Sequence, residues 1–78
     1  MTTEQKLLDA AADAFAVDRA TLTVSSSRDD VPTWDSWGHV ALVSAVEETF
    51  SISLPVEDVV AFETLGDVLA ALRRQGLA

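Results

Sequence analysis

The residues best suited to chemistry fall in one octet, Thr33 to Val40, which reads TWDSWGHV. It holds both tryptophans and the one histidine of the chain. Ser36 and His39 stand three positions apart, close enough on a helix start for a hydroxyl to approach an imidazole. A nucleophilic serine needs more than that: a base oriented by a third group, an oxyanion hole and a cleft that excludes water. No G-x-S-x-G turn is present, and a chain this short has little mass left to wall a substrate. Helical geometry also turns His39 toward the apolar side of its helix, so it reads as a core or half-buried histidine hydrogen-bonded to the preceding loop. Ser36 reads instead as an acceptor. In the first turn of a helix it sits beside unpaired backbone N–H groups and the positive end of the dipole, and both stabilise an attached phosphate ester. The plainer alternative, in which Asp35 and Ser36 only start a helix, uses the same residue types. A metal site is disfavoured by a single His, no Cys, and acids spread along the chain rather than set at ligand spacing.

Four helices are expected to position this octet. Thr2 and Gln5 fit a capping box, Glu4 lies near the positive dipole end, and Leu7, Leu8, Ala11, Ala14 and Phe15 form an apolar stripe, which predicts a helix over residues 3–16. Val17 to Asp35 is a long irregular connection anchored by Leu22, Val24 and Val31, with a short helical turn near Asp18 to Leu22. Trp34 is expected to pack the end of this loop onto the bundle, the alternative being a place beside whatever Ser36 carries. Asp35 is the N-cap of a second helix over 36–50. At about 100° per residue, His39, Leu42, Val43, Val46 and Phe50 share the core arc, and Trp37, Ala41, Ser44 and Glu48 face the other way. Ile52 and Leu54 turn inward from the next loop. Pro55 opens a short third helix over 56–61, with Glu57 and Asp58 in its first turn. Thr64 caps a fourth helix that buries Leu65, Val68, Leu69 and Leu72, carries Arg73 and Arg74 at its negative end, and stops at Gly76. The expected fold is an all-α antiparallel bundle of three main helices plus one short helix, with a long loop between helices 1 and 2.

Composition narrows the function. Seventy-eight residues, 49% of them hydrophobic, suit one globular domain over 1–78. Thirteen acids against five bases give a net charge of −8, which disfavours nucleic-acid binding. An acidic surface attracts basic patches on protein partners; the same charge also serves plain solubility. No apolar run approaches a membrane span, and the first residues lack the pattern of a signal peptide, so a cytoplasmic monomer is expected.

The segment WDSWGHVALVSAVEETFSISLP resembles the central part of acyl carrier proteins, in which an Asp-Ser pair opens the second helix and the serine carries 4′-phosphopantetheine. The likeness covers nearly the whole chain, from the first amphipathic helix and long loop to the EETF helix end, the I-x-L-P that follows and the last helix, TLGDVLAAL. It implies that Ser36 is esterified by a phosphopantetheinyl transferase using coenzyme A, that Asp35 caps the helix and helps that enzyme bind, and that the arm's thiol carries an acyl thioester from a loading enzyme to downstream acyl-processing enzymes. Trp37, where the family usually has Leu, would lie beside the arm and contact partners. Ala41, Ser44, Glu47, Glu48, Glu57 and Asp58 would form the partner-recognition face. Val40, Val46, Ile52, Val60 and Phe62 would line a slot for the acyl chain between helices 2 and 3, although each of them reads more simply as ordinary core. The chain would be a carrier and not an enzyme. Ala41 and Ser44 replace an acid and a larger apolar residue common in fatty-acid carriers, and no Gly-Gly-His-Ser sequence of peptidyl carriers occurs. The DSWGH form is similar to discrete carriers of polyketide or related specialised pathways. The alternatives are an unmodified acidic helical interaction module, or a carrier for fatty-acid synthesis or aminoacyl groups.

Overall fold

Capping chemistry sets where the helices begin. In the computed structural model, which describes residues 1–77, the Thr2 hydroxyl accepts the Gln5 N–H at 3.1 Å and the Gln5 side chain accepts the Thr2 N–H at 2.9 Å. This closed box starts helix α1, Thr3–Phe15. Ala16 then takes a left-handed conformation, φ 56°, which turns the chain out of the helix one residue earlier than the apolar stripe suggests. Asp35 caps helix α2, Ser36–Phe50, and Ser51 ends it with φ 55°. Helix α3, Val56–Ala61, has the expected bounds, with Pro55 as its N-cap and no side-chain cap bond. Thr64 and Asp67 close a second capping box at the start of helix α4, Leu65–Arg74. Gly76 follows with φ 85°, and the Leu77 N–H reaches back to the Leu72 carbonyl at 3.0 Å. That is a left-handed glycine stop, which favours a residue without a Cβ.

The four helices form an all-α bundle in which α1 packs most extensively on α2. Leu7 and Phe15 of α1, Leu42 and Val46 of α2, and Leu65 and Leu72 of α4 are fully buried at its centre. Helix α3 contributes no buried residue of its own, but Phe62 directly after it enters the core. No described helix is long and apolar enough to cross a membrane.

The long loop is held at both ends. A 3₁₀ turn at Arg19–Thr21 follows α1, capped by Asp18. Leu22 and Val31 are buried, and Val24 packs partly against the core. Between them the backbone pairs with the α3–α4 connection. Arg28 N–H donates to the Glu63 carbonyl at 3.0 Å, Leu65 N–H to Ser26 at 3.0 Å and Gly66 N–H to Val24 at 2.8 Å. At its far end the Thr33 hydroxyl donates to the Phe15 carbonyl at 2.8 Å, fixing the loop exit to the end of α1. These bonds satisfy backbone groups that an irregular segment would otherwise leave to water.

Candidate functional site

The loop exit delivers the chain to α2 in a fixed orientation. Asp35 accepts the Gly38 N–H on Oδ1 at 2.9 Å, and its carbonyl takes the first helical bond from His39 N–H at 2.8 Å. Ser36, the first helical residue, is solvent-exposed. Its position at the helix start, with a positive dipole end beside it, suits a phosphate ester on its hydroxyl. The Asp35 carboxylate points to the Gly38 amide, so the one anionic neighbour in the turn is already engaged.

Gly38 lets the loop pass close by. A Cβ at this buried position would overlap the Thr33 carbonyl oxygen. The glycine thus brings loop and helix start together, a requirement of close approach and not of unusual dihedrals.

The two tryptophans separate. Trp34 is 3% exposed, with its ring centroid 5.0 Å from that of Phe15. Trp37 is 84% exposed. His39, half-buried, is held from both sides: Trp34 Nε1–H donates to Nδ1 at 3.0 Å, and Nε2 lies 2.8 Å from the Val59 carbonyl. An indole N–H only donates and a carbonyl only accepts, so Nδ1 is unprotonated and Nε2 carries the hydrogen. Both ring nitrogens are committed, and neither is free to act as a base toward Ser36.

The residues expected on the partner face divide. Ser44, Glu48 and Glu57 are exposed and Ala41 is half-buried. Glu47 is half-buried and accepts the Leu54 N–H on Oε2 at 2.7 Å, which makes it a brace for the loop after α2. Asp58 pairs with Arg74 at 3.1 Å. Both are therefore engaged within the chain.

The five residues expected to line an acyl slot do not share one lining. Val46 and Phe62 are in the core and Ile52 is half-buried, while Val40 and Val60 are 60% and 70% exposed. For Val60 the physical reason is periodicity on a short helix. Val56 and Val60 are four apart on α3 and share its outer face, leaving Val59 as the residue turned toward the core. Phe62 alone of the five borders a surface hollow of about 200 Å³ between α3 and α4, beside Asp58, Ala61 and Ala70. Val56, 73% exposed, was missing from the expected face; its four-residue spacing from Val60 was the available signal.

An accessible serine thus stands at the head of a braced helix, on a bundle held by its neighbouring loop. The family model described as "phosphopantetheine attachment site" matches residues 5–72, from within α1 to within α4. A match over that much of the chain establishes membership: the chain belongs to this family, that of the acyl carrier proteins. The family covalently carries 4′-phosphopantetheine.

Proposed function

We propose that this chain is a single carrier domain, residues 1–78, whose Ser36 receives 4′-phosphopantetheine and presents an acyl group to successive enzymes. The supporting observation is the exposure of Ser36 at the first position of α2, inside the family match and directly after its Asp35 cap. A phosphopantetheinyl transferase joins Ser36 Oγ to phosphorus as the pyrophosphate bond of coenzyme A breaks. The nucleotide leaves, and the hydroxyl proton passes to the transferase. The bound arm supplies a thiol that holds acyl groups as thioesters.

The chain's own residues do the positioning. Asp35 fixes the turn, Gly38 and Thr33 bring the loop against the helix start, and Trp37 projects into solvent beside Ser36. Trp37, Ala41, Ser44, Glu48 and Glu57 form the docking face, with Val40, Val56 and Val60 adding exposed apolar surface. Its acids favour enzymes with basic rims, and weak electrostatic docking permits exchange between partners. The small residues Ala41 and Ser44 favour a polyketide or related specialised pathway, in the cytoplasm, over primary fatty-acid synthesis.

The test is intact mass after incubation with coenzyme A and a broad-specificity transferase. A gain of one phosphopantetheine, abolished in Ser36→Ala, supports the reading. No gain where a control carrier is modified would leave an unmodified interaction module as the better account.

A further inference from the structure

One imidazole joins three parts of the molecule. Through Nδ1, His39 holds the buried Trp34 of the loop that leads into Asp35 and Ser36; through Nε2 it holds the Val59 carbonyl near the end of α3. Its ring lies edge to edge with that of Trp34, the planes 19° apart and the centroids 6.3 Å apart, and meets Phe62 at 6.2 Å. Helix α3 has few other holds: it buries none of its residues, its N-cap makes no side-chain bond, and Asp58 ties it to α4 through an ion pair with the largely exposed Arg74. We propose that His39 is a proton-sensitive positioning residue: neutral, it clasps the attachment segment to α3, and a proton on Nδ1 opens the clasp at Trp34.

Nδ1 offers one lone pair, and the Trp34 N–H occupies it. A proton bound there sets two N–H groups face to face, and the buried indole donor loses its acceptor. The Val59 carbonyl can still accept from Nε2, so the break begins on the loop side. A hydrogen on Nδ1 and the closed bond to Trp34 therefore exclude each other, and local opening relieves the conflict.

The charged groups on the packed elements are engaged elsewhere or face water. Asp35 binds the Gly38 amide, Asp30 binds Ser27, and Asp58 binds Arg74. Asp29, Glu57 and Glu63 are exposed, and Arg28 donates its backbone N–H to the Glu63 carbonyl. Among the described residues no ion pair reaches the ring.

The clasp is tested on the chain before modification, so it stands or fails separately from the assignment of Ser36. NMR on the ¹⁵N-labelled chain reads the protonation of the His39 ring nitrogens. It also reads hydrogen exchange at the Trp34 indole and the Val59 to Ala61 amides, corrected for intrinsic rates. The expected result at neutral pH is a hydrogen on Nε2 and none on Nδ1. On acidification from about pH 7.5 to about pH 5.5, corrected exchange at Trp34 rises about tenfold and α3 follows. Trp34→Phe removes the opposing donor, and His39→Gln replaces the ring with a non-titrating donor and acceptor; exchange in α3 is then flat with pH in both. A hydrogen on Nδ1 at neutral pH, or flat wild-type exchange, would overturn the proposal, and so would an unchanged acid response in the two variants. The wild-type measurement decides the matter even where a variant fails to fold.

Discussion

Gly38 shows how much of the site depends on what a residue lacks. The Thr33 carbonyl occupies the space where a side chain would begin, and Thr33 is itself tied to the end of α1. Adding one methyl group must push the loop away from α2 or shift the helix start. Gly38→Ala is expected to destabilise the fold by about 1–3 kcal/mol, read as a lower urea midpoint at unchanged slope. The helix propensity of Ala opposes this by about 1 kcal/mol, so a net gain in stability would show that the contact relaxes freely. Around this glycine, neighbouring side chains are sorted by direction. Ser36 and Trp37 face solvent, while Trp34 and His39 are drawn inward by their mutual bond. The serine and histidine whose spacing suggested catalysis are thus assigned to different surroundings.

At the level of elements, the ends of helices do more than terminate them. Glu47, in the last turn of α2, holds the Leu54 N–H and so sets the path of the loop into α3, whereas its neighbour Glu48 faces water. Glu47→Ala should lower stability by about 1.5–3 kcal/mol, the range for a hydrogen bond to a charged group, and Glu48→Ala should stay within about 0.5 kcal/mol. Equal effects in thermal or urea denaturation would contradict the distinction. The helices themselves were legible in the sequence because their signals are local: Thr2 with Gln5, Asp35, and Thr64 with Asp67 all cap within four residues, and apolar periodicity marks the buried faces. The inward turn of His39 and its bond to the loop were legible for the same reason. What was not legible joins distant positions through backbone atoms. No side-chain pattern announces that residues 24–28 pair with 63–66, that Val59 offers its carbonyl to His39, or that Glu47 braces Leu54. The four-residue spacing of Val56 and Val60 marks a shared face of α3, but on a helix of 6 residues it does not tell whether that face turns to the core or to solvent.

Over the whole molecule, charge is segregated along the chain. Lys6, Arg19, Arg28, Arg73 and Arg74 are its basic residues, and none lies between Arg28 and Arg73. That interval contains Ser36 and every residue of the proposed docking face, and all its ionised side chains are acidic. Such a surface attracts a basic partner over a distance comparable to the Debye length, about 10 Å at 0.1 M salt. Raising salt from about 0.05 M to about 0.5 M is therefore expected to raise the transferase KM for this chain about three- to tenfold, with a smaller change in kcat. A KM insensitive to salt would place recognition on apolar contacts such as Trp37 instead. The central claim, that this platform carries a group on Ser36, is tested most directly by intact mass spectrometry after treatment with coenzyme A and a broad-specificity phosphopantetheinyl transferase. The account predicts the gain of one phosphopantetheine in the native chain and none in Ser36→Ala. An unchanged native mass beside a modified control carrier, or an equal gain in Ser36→Ala, would contradict it.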